Sequence, residues 1–251
     1  MDEQTRRYFE EHWGTHISGV VASSKVSQAE RFFAPILDSL RSHPLTILDV
    51  GCGDGVHWRY LRSLDNPQLK YTGVDISQTV ITHLRQQTTT PEDRFVQMDA
   101  VALTEPDDTY DVVFAFGVIA YTRDPQRSFA EMCRVCKPGG WVGAWIFPKV
   151  SGVVGLAFEL TRKLCQIVGP FGTLFIANLI VPWLGILPTQ SKASLKNSTW
   201  RQCRELVLVN IAPKQLAFFR HDEVAAWFAA NNIDIVYEDP ANSITIWGQK
   251  R

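Results

Sequence analysis

Three aspartates stand beside breaks in apolar stretches. Asp49 lies two residues before the first glycine of Leu48-Asp49-Val50-Gly51-Cys52-Gly53-Asp54-Gly55, Asp75 closes Lys70-Tyr71-Thr72-Gly73-Val74-Asp75, and Asp99 follows Met98. Gly51, Gly53 and Gly55 let the backbone take positive φ and let a ligand approach closer than a Cβ would allow. The dinucleotide fingerprint is G-x-G-x-x-G after an apolar strand residue. Here the spacing is one residue shorter and an acid precedes it. A carboxylate suits a cationic or hydroxylated ligand better than a pyrophosphate. Asp75 falls about 20 residues beyond the turn, where an acid can accept both ribose hydroxyls of a nucleoside. Asp99 follows a short apolar stretch, where an acid is often only a turn residue.

Other chemically capable residues give weaker patterns. His12 and His16 are spaced i, i+4 among Tyr8, Phe9 and Trp13. Trp13 and Gly14 follow the first histidine, so the H-E-x-x-H metal pattern is missing. Either histidine could serve as a general base. Cys133-x-x-Cys136 lacks the second cysteine pair of a zinc site. No metal is expected. His57 is close enough to the glycine turn to line a site, and its ordinary reading is a packing histidine. His221 is a weaker base candidate because it starts a helix.

These residues need strands and helices to position them. Residues 46–50 read as a buried parallel strand running into the glycine turn, with a helix over 56–64. Further strands are expected at 70–75, 94–97, 110–116 and 141–147. Ser77 caps a helix with stripe Val80, Ile81 and Leu84. Asp124 and Pro125 start another, with Phe129, Met132, Cys133 and Cys136 inward, and Pro138-Gly139-Gly140 turns into the fifth strand. Ser27-Gln28-Ala29-Glu30 reads as a capping box. Phe32, Phe33, Ile36, Leu37 and Leu40 mark the face of the helix it opens, which Pro44 ends. Residues 220–224 begin a last helix. Segments 233–237 and 243–247 alternate as strands, joined as a hairpin by Asp239-Pro240-Ala241-Asn242.

Taken in order, these features resemble the class I S-adenosylmethionine-dependent methyltransferases. The matching residues are Leu48 to Gly55, Gly73-Val74-Asp75-Ile76-Ser77, Met98-Asp99-Ala100, Tyr110-Asp111-Val112-Val113-Phe114 and Arg134-Val135-Cys136-Lys137-Pro138-Gly139-Gly140. The resemblance implies an α/β fold: a Rossmann-like, seven-stranded, mostly parallel sheet with helices on both faces and a C-terminal antiparallel hairpin. It implies S-adenosyl-L-methionine as cofactor, held by Asp49, Gly51, Cys52, Gly53, Asp75, Ile76, Met98, Asp99, Ala100 and Phe116. Asp49 is expected to organise the turn rather than touch the methyl. Phe116, Gly117 and Tyr121 are candidates for the floor beneath the sulfonium. His12, His16 and Tyr121 are the catalytic candidates. Many relatives carry a histidine pair where this chain has Ala120 and Tyr121, so no histidine role is inherited there. The family holds apolar residues at positions 133 and 136, which makes both cysteines core. The chain lacks the Asn/Asp-Pro-Pro-Tyr pattern of nucleobase amino-methylation.

The expected organisation is an N-terminal helical lid over 1–44, a cofactor-binding core over 45–147 and 214–251, and an inserted, mainly helical segment over 148–213. That insertion is too long for an ordinary loop. Its charge-free run, 171–188, has the length of a membrane span, but Gly172, Asn178, Pro182, Gly185 and Pro188 argue against one uninterrupted helix. A cap over the site is the first reading, with a homodimer surface or a peripheral membrane contact as the others. A net charge of −1 gives no electrostatic reason to expect nucleic acid. Five cysteines without framework spacing, and an N-terminus without an apolar signal run, make a cytoplasmic protein the expectation. The expected reaction is methylation, favouring oxygen over carbon or nitrogen, of a small, lipophilic or natural-product-type metabolite. The alternatives are a membrane-surface quinone or lipid methyltransferase, a nicotinamide-dependent oxidoreductase, and a non-catalytic module that binds the same nucleoside.

Overall fold

The structure, a computed structural model, describes residues 3–16, 23–42, 44–184, 199–239 and 243–251, except the side chains of 12–16, 23–25 and 42. Strands β1 (Leu45–Val50), β2 (Leu69–Asp75), β3 (Arg94–Gln97), β4 (Tyr110–Phe116) and β5 (Cys136–Ile146) run parallel. After β6 (Ile233–Asp239), strand β7 (Ile244–Lys250) pairs antiparallel with both β5 and β6. The order is β3-β2-β1-β4-β5-β7-β6, the seven-stranded, mostly parallel sheet that the sequence predicts.

Period-two alternation divides the buried strands between two cores. Ile47 faces Tyr71, Phe114 and Trp247, beneath α2 (Ser23–Phe33), α4 (Val56–Ser63) and α5 (Gln78–Gln87). Leu48 and Val50 face Phe129, Met132 and Phe228, beneath α6 (Pro125–Val135) and α9 (His221–Ala230). Helices on both sides explain why β1 and β4 carry apolar residues on both faces. Trp247 Nε1 donates to the Phe32 carbonyl at 2.7 Å, fastening the last strand to α2. Gly143 must be glycine here, since a Cβ would lie 2.5 Å from the Trp247 ring. β1 adjoins β2 on one side and β4 on the other. This reversal of strand order opens a crevice at the carboxyl ends.

Local departures have physical causes. Helix α2 already runs from Ser23, so Ser27 lies inside it and its N–H needs no cap. Of the predicted apolar face, Phe32, Phe33, Ile36 and Leu40 are buried and Leu37 is half-buried, and the face is carried through a 3-10 turn (Ala34–Ile36) into α3 (Leu37–Ser42). Cys136 opens β5 rather than closing α6, and Pro138-Gly139-Gly140 forms a bulge within the strand, where the register against β4 shifts between Tyr110 and Val112. Gly139 takes φ +76 there. Cys133 and Cys136 are both buried in the core. Residues 240–242 of the expected hairpin turn lie outside the described residues.

The described part of the insertion is mainly helical. Helix α7 (Gly152–Ile180) is broken at Gly169 (φ 71, ψ −175), directly before Pro170. The chain doubles back there. Thr173 Oγ1 donates to the Cys165 carbonyl at 3.1 Å, eight residues away, a separation of about 12 Å in a straight helix. A 3-10 turn (Val181–Trp183) and α8 (Trp200–Ile211) complete the described part, and Thr199 with Gln202 forms a capping box on α8. Cys165, Ala177, Val181, Leu184, Val207 and Ile211 make a third, smaller core. Buried Arg162 donates to the carbonyls of Asn210, Pro213 and Lys214, and so pins α7 to the segment that leaves α8. Residues 185–188 of the charge-free run, and 192–198 beyond it, lie outside the described residues.

Candidate active site

The glycine turn is built by backbone bonding. Gly51 and Cys52 N–H both donate to the Val74 carbonyl, at 2.7 and 3.0 Å, which folds the end of β1 over the end of β2. Gly51, Gly53 and Gly55 all have positive φ, and Gly55 leads into α4 in the left-handed conformation. The reason Gly51 is glycine differs from the expectation. A Cβ there would meet Val118 Cγ2 at 2.1 Å, so the close approach is by the segment after β4 rather than by a ligand.

Asp75 ends β2 almost wholly buried. Its Oδ2 accepts from Gly53 N–H at 3.1 Å and its Oδ1 from Ser77 N–H at 2.9 Å. Burial raises its pKa above the usual carboxylate value, partly opposed by these two donors. Asp99 lies past β3 and accepts from Val101 N–H at 3.2 Å. Met98 N–H donates to the Asp75 carbonyl at 2.9 Å, so the two acids stand at adjacent strand tips.

A cavity of about 830 Å³ opens beside these tips. Of the ten residues expected to hold the cofactor, Gly51, Cys52, Gly53, Asp75, Ile76, Met98, Asp99, Ala100 and Phe116 line it. Asp49 does not. It is fully buried behind the turn, where Tyr71 Oη donates to its Oδ2 at 2.7 Å and His57 Nδ1 stands 3.8 Å away. Its other oxygen has no hydrogen-bond partner among the described residues. Burial pushes its pKa up to about 8, against the lowering effect of Tyr71. A carboxyl that is neutral when folded and ionised when unfolded binds one extra proton on folding. Between about pH 4 and pH 8 it therefore lowers stability by about 1.4 kcal/mol per unit as pH rises. Thermal unfolding of Asp49→Asn across this range should show a shallower fall than the parent. An unchanged slope would mean that Asp49 is ionised.

The rest of the cavity is aromatic and aliphatic. Phe116 stacks on Trp145 at 4.6 Å, and Phe147 stands edge-on to Trp145 at 4.9 Å and to Tyr121 at 5.8 Å. Tyr121 lines the cavity, but its hydroxyl donates to the Val209 carbonyl at 3.1 Å and burial raises its pKa further. It stands as a phenol tied to α8, not as a base. His57 is buried and lines the cavity as well. His12 and His16 belong to α1 (Glu3–His16), and their side chains lie outside the described residues. His221 pairs with Glu238 at 3.2 Å and is not among the lining residues.

α1 reaches the cavity through Phe9, whose ring meets Tyr121 at 5.0 Å. Thr79 donates to Glu10 Oε1 through its N–H and its hydroxyl, each at 3.2 Å, holding α1 to α5. Gln215 N–H donates to Thr5 Oγ1 at 3.0 Å, and Gln215 Nε2 to the Thr122 carbonyl at 2.7 Å. The return from the insertion thus joins α1 to the segment after β4. Sequence reasoning missed the lining residues Val118, Trp145, Phe147, Val207, Asn210 and Phe218. Phe147 and Trp145 carried a signal, being at the carboxyl end of a parallel strand. Val207 and Asn210 carried none.

The acceptors and apolar side chains of the crevice fit an adenosine carrying a charged sulfur. Two carboxylates stand at neighbouring strand tips, with the apolar side chains of Ile76 and Met98 beside them.

Comparison with known proteins agrees. Residues 48–144 match the family model described as "Methyltransferase domain". Phosphatidylethanolamine N-methyltransferase of Cereibacter sphaeroides is 33% identical over 100 residues, 38% of this chain and 47% of that protein. The 2-methyl-6-phytyl-1,4-hydroquinone methyltransferase of Synechocystis is 37% identical over 98 residues, 38% of this chain and 30% of that protein. The matched region thus spans less than half the length of these relatives. In fold, the chain is similar to the Burkholderia thailandensis 1,6-didemethyltoxoflavin-N1-methyltransferase with bound 1,6-didemethyltoxoflavin and S-adenosylhomocysteine. The TM-score is 0.60 at 14% identity, over 98% of this chain and 86% of that one. These findings set aside the nicotinamide reading. Residues 48–144 form a methyltransferase domain, within a fold shared with S-adenosylhomocysteine-bound methyltransferases.

Proposed function

We propose that the protein transfers the methyl group of S-adenosylmethionine to a small, apolar acceptor, at an oxygen. The observation that carries this reading is one cavity. It runs from Asp75 and Asp99 past Phe116 and Trp145 to Val154 and Phe158 of α7 and Val207 of α8. Asp75 accepts the ribose hydroxyls, Asp99 the adenine amine, and Ile76 and Met98 flank the base. Gly51, Cys52 and Gly53 leave room for the amino-acid part. Asp49 supports the turn from behind it.

The bound sulfonium supplies a methyl group already activated for in-line displacement. What the protein must add is alignment and exclusion of water. The stacked pair Phe116–Trp145, with Phe147 and Tyr121, forms an apolar wall that can orient a flat acceptor. The described part of the insertion, α7 and α8, covers the cavity as a cap, and Phe9 of α1 covers it as part of a lid. An anionic oxygen is the favoured nucleophile because its negative charge and the sulfonium cancel, and low dielectric strengthens that attraction. The names of the two relatives above, one a phospholipid and one a phytylated hydroquinone, support an acceptor with hydrocarbon character.

Calorimetry separates this reading from its rivals. S-adenosylhomocysteine should bind with a dissociation constant in the micromolar range, about −8 kcal/mol, and NADH should not bind measurably. Binding of NADH alone would overturn the proposal. Binding of S-adenosylhomocysteine without turnover on any phenolic or quinol acceptor would leave a non-catalytic module.

A further inference from the structure

A second feature stands apart from the cofactor crevice. The break at Gly169 divides the stretch of α7 and the 3-10 turn after it into limbs over 152–168 and 170–183, about 26 and 21 Å long at ~1.5 Å per residue. By composition the whole stretch is apolar enough to cross a membrane, yet little of it is buried. Neither limb makes a spanning helix, which needs about 20 apolar residues. The second is too short, and the first carries Glu159, Arg162 and Lys163. Among the described residues nothing covers the outer face. Leu156, Leu160 and Leu164 are exposed along the first limb. At the reversal, Ile167 is 82% and Phe171 90% exposed. From Leu164 to Leu184 no residue is charged.

We propose that this hairpin docks on a lipid bilayer, lying in its interface without crossing it, and that the acceptor enters the cavity from the lipid side. Three observations choose lipid over a protein partner or a second copy. First, the cavity mouth and the outer face are continuous. Val150, Val153, Val154 and Leu206 line the cavity and are also exposed, Val153 at 85%. A mouth rimmed by bare valines offers water-soluble acceptors nothing, whereas an acyl or prenyl chain can slide along it. Second, the apolar side chains exposed at the reversal, Ile167, Val168, Phe171 and Phe175, come from a stretch without a charged residue, Leu164 to Leu184, whereas protein interfaces mix polar groups into the patch. Third, Trp183 and Trp200 are exposed at the ends of the segment, residues suited to the headgroup level. Lys149, Lys163 and Arg201 are exposed on the same part of the chain, against Glu159, which favours an anionic surface.

The entry route rests on the methyltransferase reading, but the docking does not, so the test reads them separately. The full chain is floated with vesicles of phosphatidylcholine alone, and of phosphatidylcholine mixed with phosphatidylglycerol. S-adenosylhomocysteine binding is measured on the same preparations. The parent should float, more so with the anionic vesicles. The double variant Ile167→Glu, Phe171→Glu changes two exposed side chains, so the fold is kept. It should lose at least ~10-fold in partitioning, with S-adenosylhomocysteine affinity unchanged. If the parent stays with the buffer, or the variant floats equally well, the docking is wrong. If light scattering finds a dimer that the variant splits, with no flotation, the face is an interface between copies and the proposal falls. Flotation without S-adenosylhomocysteine binding would instead overturn the reading of the crevice and leave the surface standing.

Discussion

Asp75→Ala should weaken S-adenosylhomocysteine binding by about 1.5–3 kcal/mol, ~10–150-fold, the usual loss for a hydrogen bond to a charged group. The carboxylate is already aimed, because Gly53 and Ser77 N–H hold it at the tip of β2. It therefore loses little freedom when a diol arrives. Removing it also strips those N–H groups of their acceptor, so the turn itself should loosen. Asp75→Asn keeps one accepting oxygen and should fall between parent and alanine. Burial raises the pKa of Asp75, so binding should weaken with acidification at a higher pH than an ordinary aspartate would dictate. Titration calorimetry at several pH values reads both effects. Parent-like affinity in the alanine variant would remove Asp75 from the site.

What the sequence made legible were features in which one local pattern has one physical solution. β1 and β4 had to be central because their residues are apolar on both faces. Asp75 and Asp99 had to come to neighbouring tips once β2 and β3 were paired in parallel. Asp49 was legible as a residue of the turn but not in its direction. A one-residue step along a strand reverses the face, and Asp49 shares the side of Ile47, away from the cavity. The reason for Gly51 was hidden because its neighbour, Val118, is 67 positions away. The insertion was legible as apolar and interrupted, but no periodicity in α8 announces that Val207 reaches a cavity built by β1 and β4. Tyr121 shows the same limit. Its position after β4 pointed to the site, whereas its tie to the Val209 carbonyl depends on a segment 88 residues away.

Gly51→Ala should be the more damaging change to the domain as a whole. The backbone there has φ +81, which costs an L-residue about 1–2 kcal/mol. The new Cβ would also lie 2.1 Å from Val118 Cγ2 and 2.6 Å from Cγ1, and overpacking of this kind costs about 1–3 kcal/mol. The sum of about 2–5 kcal/mol should lower the melting temperature by ~4–20 °C for a chain of this size. Both partners of the clash line the cavity, so ligand affinity should fall with it. The two contributions can be separated with Val118→Ala. In the double variant the added methyl group gains space, so the steric part should be recovered while the backbone part remains. A double-mutant cycle should return a favourable coupling of at least ~1 kcal/mol. Additive losses would mean that the clash is relieved by movement elsewhere. Gly51 would then be required by its φ alone, and the packing of Val118 on the turn would be incidental to the shape of the crevice.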